Sequence, residues 1–316
     1  MKIGMITDSL PGTTLDAMLD VAARLSMEQL EFACGNWSTA PHLDLDTMLE
    51  SGVARREFAA RLADRGISIS ALNCSGNPVH PGEHGRRHDE VTRKTMKLAQ
   101  LMDVDRVVMM SGCPGAPGDA HANWVTTEWP PEVREVLRWQ WEEVLIPYWR
   151  DLTAFARGHG VTRICLELHG HQNVYNVATL KRLRDAVGET VGANLDPSHL
   201  MWMGADPVAA AHALGDAIYY VHAKDTKIEG SAGVNGIIDT TPGSEYKDRA
   251  WNYITLGHGR DEAWWRQFVQ ALAANGYDGV LSIEHEDPAM SPEQGVEESV
   301  ALLRRVLDRP PLRREA

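Results

Sequence analysis

Four short apolar runs in the second half of the chain each end in a side chain that can bind a divalent cation. These side chains are Glu167, Asp196, His222 and Glu284. A charged group in an apolar strand is costly unless it is paired or coordinates a metal. Three carboxylates close together would repel one another, whereas a divalent cation neutralises most of that charge. The sequence therefore predicts one metal site with these four ligands.

A cation held by this ligand set would support proton transfer next to a carbonyl. Three carboxylates and one imidazole suit Mn²⁺, and the same set accepts Mg²⁺, Co²⁺ or Zn²⁺. The cation polarises a carbonyl, makes the adjacent C–H acidic and stabilises the resulting enediolate. One carboxylate can then remove the proton and another can return it on the opposite face. We expect Glu167 and Glu284 to be this catalytic pair while also binding the metal.

Short apolar runs alternate with longer amphipathic segments along the chain. The predicted strands are Lys2–Thr7, Gln29–Cys34, Ser68–Cys74, Arg106–Ser111, Arg163–His169, Gly192–Asp196, Ile218–Lys224 and Gly279–His285. The predicted helical segments are 14–26, 45–65, 87–102, 131–159, 177–187, 206–214, 261–275 and 292–308. Eight such units match the size of a (β/α)₈ TIM barrel. The sequence therefore predicts an α/β protein with one barrel domain, residues 1–316.

A doubly wound open sheet is the alternative arrangement of these units. That fold usually carries a glycine-rich phosphate-binding turn after its first strand. Here the corresponding segment, residues 7–12, contains no G-x-G-x-x-G. Runs such as 107–110 are apolar throughout, as expected for parallel strands that are covered on both sides. These features favour the barrel over the open sheet.

Three connections that follow strands are much longer than usual, at about 34–45, 111–130 and 225–260. In a barrel all three lie at the carboxyl ends of the strands, where barrel enzymes have their active sites. Five of the ten tryptophans fall in loops at this end, namely Trp37, Trp124, Trp129, Trp202 and Trp251. A tryptophan ring suits the C–H face of a sugar but also packs well in a core. We expect Trp37 to contact the substrate.

Side chains alternate between the two faces of a strand, so residues two positions apart face the same side. This alternation predicts which neighbours of the four ligands also face the barrel interior. His285 should then face the helices. The residues expected to share a face are Glu167 with His169, Asn194 with Asp196, Tyr220 and His222 with Lys224, and Glu284 with Glu286.

Four segments together resemble a known family. They are LELHG at 166–170, NLDPSHL at 194–200, YVHAKDT at 220–226 and GYDGVLSIEHED at 276–287. This combination resembles the xylose-isomerase-like barrel superfamily, and more closely the sugar-phosphate isomerase/epimerase family that includes the ketose 3-epimerases. The resemblance extends over essentially the whole chain. It implies that the four strand-end ligands hold one divalent metal and that the substrate is a ketose or keto-sugar.

The resemblance also suggests residues that contact the substrate. His199 matches a family histidine near the metal or substrate, and Arg249 is a candidate for the family's substrate-binding arginine. Gly257-His258-Gly259 resembles the family's G-x-G, which would bring His258 into the pocket. His169 and Lys224 are expected to bind hydroxyl groups. The alternative role for His169, His199 and Lys224 is support of the metal ligands.

Other functions remain open on the sequence. The same site could eliminate the aglycone from a 3-oxo-glycoside, since relatives with ends like SIEHED look like deglycosylating lyases, some with a small partner subunit. Abasic-site endonucleases share the barrel but need further metal ligands and a basic face for DNA. A non-catalytic sugar-binding protein is the remaining alternative, favoured if the four ligands do not converge.

Composition limits the partners and the compartment. Lys and Arg total 31 against 44 Asp and Glu, a net charge of −13 that argues against nucleic-acid binding. No apolar run approaches ~20 residues, so no membrane span is expected. The start of the chain lacks a signal-peptide pattern and the four cysteines are widely spaced, which together predict a cytoplasmic protein with reduced thiols. The expected partners are a small sugar and further copies of the chain.

Overall fold

Eight parallel strands close into a barrel in the computed structural model, which describes residues 1–308. The barrel order is β1-β10-β7-β6-β5-β4-β3-β2, while β8 and β9 form a separate antiparallel hairpin. The predicted TIM-barrel fold is confirmed; residues 309–316 of the predicted domain lie outside the described residues. The strands are β1 Lys2–Ile6, β2 Gln29–Ala33, β3 Ser68–Asn73, β4 Arg106–Met109, β5 Arg163–Glu167, β6 Val191–Leu195, β7 Ile218–Ala223, β8 Asp225–Ile228, β9 Trp251–Ile254 and β10 Val280–Ile283.

The strand register brings the predicted ligands to one end of the barrel with their side chains on one face. Glu167 pairs with Asn194, two residues before Asp196. His222 pairs with Ser282, two residues before Glu284. These offsets are even, and side chains alternate along a strand, so the ligands share the interior face. The alternation also predicted that His285 faces outward, and its ring lies against Gly295 on the last helix.

Helices surround the barrel. The single helix predicted over 45–65 is wrong, because the structure has two helices there, Leu45–Glu50 and Gly52–Ala63. Ser51 between them is extended, and its side chain accepts a hydrogen bond from the Ala54 N–H, which starts the second helix. The helices are α1 Leu15–Arg24, α2 Leu45–Glu50, α3 Gly52–Ala63, α4 Glu83–Leu101, α5 Glu132–Trp139, α6 Ile146–Gly158, α7 Val177–Val187, α8 Pro197–Trp202, α9 Pro207–Leu214, α10 Ala232–Asn235, α11 Glu262–Ala274 and α12 Pro292–Leu307.

A π-helical turn over Gln140–Leu145 joins α5 to α6 and anchors the long loop 111–130. The fully buried Gln140 side chain donates from Nε2 to the carbonyl oxygens of Pro114 at 3.1 Å and Asn123 at 2.7 Å. π-helical turns inside α-helices are often found at functional sites. Here the turn fixes a loop at the carboxyl end of the barrel.

The hairpin β8–β9 lies within the connection 225–260, where the sequence indicated only a long loop. Asp225 starts the hairpin, and its buried Oδ2 accepts hydrogen bonds from the N–H groups of Gly257, Gly259 and Arg260. A Cβ on Gly259 would lie 2.5 Å from the Thr226 carbonyl oxygen, so the close approach requires glycine. The G-x-G segment therefore closes the base of the hairpin.

Asp225→Ala is expected to lower the free energy of unfolding by about 3 kcal/mol, because the buried Thr226 N–H, the Trp265 indole N–H and three partly buried backbone N–H groups lose their acceptor. Chemical denaturation monitored by circular dichroism measures this loss. The matched control is Asp248→Ala, which removes an exposed carboxylate from the same connection and should change stability by less than about 0.5 kcal/mol. Equal stability of the two variants would contradict this role of Asp225.

None of the helices within residues 1–308 is both long and apolar enough to cross a bilayer.

Candidate metal centre

The carboxyl ends of β5, β6, β7 and β10 bring four side chains into one group. Glu167, Asp196, His222 and Glu284 each offer one ligand atom, and these atoms all lie within 4.8 Å of one another. Asp196 is fully buried, and the Glu167 and His222 side chains are nearly so. The structure thus brings together the four residues that the sequence proposed as metal ligands.

Local backbone structure fixes Asp196 at this position. It is the N-cap of α8, and its Oδ1 accepts a hydrogen bond of 2.7 Å from the Ser198 N–H. Pro197 follows at the first helical position, where its missing N–H costs nothing. The cap holds one carboxylate oxygen and leaves Oδ2 for another partner.

Glu31 orients the His222 ring from the opposite side of the barrel. The His222 Nε2 lies 2.9 Å from Glu31 Oε2, and its Nδ1 lies 2.9 Å from Glu284 Oε2. Glu31 is fully buried and also accepts hydrogen bonds from Asn73 and Ser282. A carboxylate that accepts the Nε2 proton leaves Nδ1 as the metal-binding nitrogen.

Glu31→Gln is expected to weaken metal binding about 10- to 100-fold, because an amide cannot fix the His222 tautomer in the same way. Titration calorimetry of chelator-treated protein with Mn²⁺ measures the dissociation constant. The control is Ser282→Ala, which removes one hydrogen bond to Glu31 but keeps its contact with His222. An unchanged Mn²⁺ affinity in Glu31→Gln would show that Glu31 does not orient the ligand.

Three buried atoms of the group form no hydrogen bond of good geometry among the described residues, although other polar atoms of the site lie within 3.2 Å of each. They are Asp196 Oδ2, His222 Nδ1 and Glu284 Oε2. Buried polar atoms without a partner are costly, and each of these belongs to a different ligand of the same group. A divalent cation would give all three atoms a partner of suitable charge. The donor set therefore fits a metal ion.

His199 lies among the metal ligands rather than at the cavity. Its Nε2 is 2.7 Å from Glu167 Oε1 and 3.2 Å from Asp196 Oδ2, and the side chain is fully buried. The Tyr253 hydroxyl, from the hairpin strand β9, lies 2.8 Å from its Nδ1. Burial disfavours the charged ring, but Asp196 outweighs it and raises the pKa of His199 to about 9. His199 thus supports two ligands, the alternative role that the sequence left open.

Lys224 provides positive charge beside the carboxylates. Its Nζ is 3.2 Å from Glu284 Oε2 and 2.9 Å from Glu286 Oε2, and it lies 4.2 Å from the centre of the Tyr253 ring. Burial opposes the charged amine, yet Glu284 and Glu286 raise its pKa well above the ordinary value. Lys224 therefore stays protonated and can donate to an oxygen next to Glu284.

The two catalytic candidates have opposite electrostatic environments. Burial and the nearby Glu284 carboxylate raise the pKa of Glu167. Burial also acts to raise the pKa of Glu284, but Lys224 and His222 together lower it well below its ordinary value. Without a bound cation, Lys224 and His222 therefore make Glu284 the more acidic of the two carboxyl groups.

A cavity of about 390 Å³, the metal cavity, opens beside these groups. Trp37, His169 and Lys224 line it, as the sequence predicted for substrate-binding residues. The Trp37 side chain is 54% exposed, and the His169 ring lies 3.9 Å from the His199 ring. Asp8 also lines the cavity, and burial raises the pKa of its carboxyl group.

Two other predicted substrate contacts are not at this cavity. The expectation for His258 is wrong: its side chain is 45% exposed, and Nε2 lies 2.9 Å from Glu298 Oε2 at the protein surface. It sits between two glycines whose N–H groups bond to Asp225, so the segment serves the hairpin base. The Arg249 guanidinium lies 4.6 Å from the centre of the Trp251 ring and does not line the metal cavity.

Glu31 and Tyr253 are the important residues that the sequence analysis missed. Glu31 stands in the apolar strand QLEFA, and the cost of a buried charge, applied to the later strands, would have identified it there as well. Tyr253 offered no such signal, because its position depends on the hairpin that folds within a long connection.

A family model described as the xylose isomerase-like TIM barrel matches residues 19–306. The chain belongs to the xylose isomerase-like TIM-barrel family. A relative in Bacillus subtilis (strain 168), the uncharacterized protein YfiH, is 48% identical over 311 residues, which cover 97% of this chain and 99% of YfiH.

Solved structures of other proteins share this fold. The IolI protein with a bound zinc atom superposes with a TM-score of 0.68 at 17% identity, covering 98% of both chains. A D-tagatose 3-epimerase-like protein gives a TM-score of 0.67 at 18% identity, covering 98% of this chain and 97% of that one. At these identities the comparison establishes the shared barrel.

Proposed function

We propose that this protein is a divalent-metal-dependent isomerase or epimerase that acts on a ketose or keto-sugar by proton transfer next to the carbonyl. The observation that carries the proposal is the convergence of Glu167 and Glu284 with Asp196 and His222 within one group. Such a reaction needs two carboxylates that can bind a cation and that open to one cavity, as Glu167 and Glu284 do here.

Glu167, Asp196, His222 and Glu284 are the residues that would hold the cation. When bound, a divalent ion polarises a carbonyl and stabilises the negative charge that develops on its oxygen. Mn²⁺ is our choice because three of the four ligands are carboxylates. The zinc atom of the IolI structure belongs to that protein and supports a divalent ion in the same fold.

The side chains that line the metal cavity would transfer the proton and bind the substrate. One of Glu167 and Glu284 accepts the proton from the carbon next to the carbonyl, and the other donates a proton to the opposite face. Lys224, held between Glu284 and Glu286, donates to a substrate oxygen and stabilises its developing charge. The pKa of the half-buried His169 is lowered well below its ordinary value by desolvation of the ring, so His169 is neutral and hydrogen-bonds to a hydroxyl.

A lyase that eliminates the aglycone from a 3-oxo-glycoside is the second candidate. It would use the same proton abstraction, after which the bond to the leaving group breaks. The observation that favours it is a second cavity of about 580 Å³, which shares Trp37 with the metal cavity. A free ketose would leave this second space empty.

Deuterium uptake from D₂O tests the proposal. Metal-loaded protein is incubated with a panel of ketoses and 3-oxo-glycosides, and the products are analysed by NMR and mass spectrometry. Exchange with inversion or carbonyl migration and no aglycone release supports the isomerase or epimerase. Aglycone release identifies the lyase, and neither exchange nor release on any member of the panel would contradict both functions.

A further inference from the structure

A second cavity lies beside the metal cavity over the loops that follow β2, β3 and β4. We name it the histidine cleft, and its volume is about 580 Å³ against about 390 Å³ for the metal cavity. Ligand pockets span about 300–1,000 Å³, so each cavity alone is large enough for a small molecule. Trp37 lines both cavities. The residues lining the cleft include Trp37, His80, His84, His88, Trp124 and His171.

The histidine cleft differs from the metal cavity in its charge. None of the described residues that line the cleft is an Asp, Glu, Lys or Arg, whereas Glu167, Glu284 and Lys224 line the metal cavity. Burial, with the neighbouring His84, lowers the pKa values of His80 and His88, so both rings are neutral at neutral pH. The cleft therefore suits an uncharged ligand.

The neutral histidines present hydrogen-bond donors. His80 Nδ1 accepts a bond of 3.0 Å from the Gly82 N–H, and His88 Nδ1 accepts one of 2.8 Å from the Asn77 N–H. A neutral imidazole that accepts at Nδ1 carries its proton on Nε2. Both rings are thus fixed as Nε2–H donors by the backbone, which suits the oxygen of a hydroxyl group.

The Trp124 ring packs at 4.9 Å against His171, and the Trp37 ring meets His88 edge-on. Aromatic rings together with the Nε2–H donors of His80 and His88 suit a sugar ring, because it has C–H faces and a rim of hydroxyls.

We propose that the histidine cleft binds a second, uncharged sugar ring attached by a glycosidic bond to the keto-sugar in the metal cavity. The inference rests on the proposed function for the position of the first ring. It narrows the substrate class from free ketoses to two-ring glycosides. Trp37, which lines both cavities, would contact both rings of the substrate.

Equilibrium binding to the Mn²⁺-loaded protein tests the subsite, because it needs no turnover. The probes are 3-oxo-glucose, phenyl 3-oxo-β-glucoside and cellobiose oxidised at C3 of its non-reducing ring, each followed by tryptophan fluorescence. We expect the disaccharide to bind at least about tenfold more tightly than 3-oxo-glucose. Equal dissociation constants for these two probes, or tighter binding of the phenyl glycoside than of the disaccharide, would overturn the proposal.

The cleft variant is a double variant that carries His80→Ala and His84→Ala. Its matched control carries His212→Ala and His258→Ala, which remove two histidines at the protein surface. The cleft variant should weaken disaccharide binding at least about tenfold and leave 3-oxo-glucose binding within about twofold. Should the double variant not fold, His84→Ala alone is used, since this side chain is exposed. Equal losses for both probes, or an equal loss in the control, would contradict the subsite.

This design separates the subsite from the proposed reaction. If no probe exchanges deuterium but the disaccharide keeps its advantage in binding, the proposed reaction fails and the subsite stands. If 3-oxo-glucose exchanges deuterium but the disaccharide binds no better, the reaction stands and the subsite fails.

Discussion

Glu284→Gln is expected to abolish deuterium exchange while the barrel stays folded. Proton transfer by a positioned side chain contributes about 10²–10⁴-fold to a rate, and the amide cannot take or return the proton. Because Glu284 is also one of the four metal-binding candidates, we expect a loss of at least about 10³-fold in turnover. Rates of deuterium uptake at saturating Mn²⁺ measure the loss, and circular dichroism checks the fold.

Glu286→Gln is the matched control for this prediction. The Glu286 carboxylate lies 2.9 Å from the same Lys224 Nζ, but it is 48% exposed and outside the ligand group. Its loss should reduce turnover less than about tenfold, because Glu286 transfers no proton and Lys224 keeps Glu284 as a partner. Comparable losses in the two variants would mean that the negative charge near Lys224 matters and the proton transfer at Glu284 does not.

His222→Ala is expected to weaken Mn²⁺ binding by more than about 100-fold, because it removes the only nitrogen among the four ligands of the described site. It also leaves Glu31 without its imidazole partner, although Asn73 and Ser282 still donate to that carboxylate. Calorimetric titration of chelator-treated protein measures the affinity, and the thermal midpoint reports the effect on stability.

His169→Ala provides the comparison for His222→Ala. His169 lines the same cavity and contacts His199, but it is not one of the four ligands. Its removal should leave the Mn²⁺ affinity within about threefold while it weakens substrate binding. If both variants lose metal equally, the ligand set proposed here is wrong.

Much of the fold and the convergence of the four candidate ligands were predictable from the sequence because both depend on local periodicity. Apolar strands at regular intervals predicted the barrel, and a charged residue at the end of each late strand indicated a metal. The alternation of side chains along a strand then predicted that Lys224 faces the same side as His222 and that His285 faces the helices. The register confirms why this worked, since neighbouring ligands are offset by even numbers of residues.

The positions of Tyr253, His258 and the histidine cleft depend on contacts between segments that are distant along the chain, and a single sequence does not show such contacts. Tyr253 reaches His199 only because Asp225 and the glycines of the G-x-G segment close a hairpin within 225–260. That same closure turns His258 to the surface, against the expectation taken from the motif. The histidine cleft likewise combines side chains from loops and from α4 that are far apart along the chain.

Anomalous scattering from crystals grown with Mn²⁺ is the most direct test of the account. We expect one strong manganese peak per chain, within about 2.0–2.4 Å of Glu167, Asp196 and Glu284 oxygens and of His222 Nδ1. A peak at another set of residues, or none at a manganese concentration that saturates a calorimetric titration, would contradict the shared cation and the proton transfer built on it.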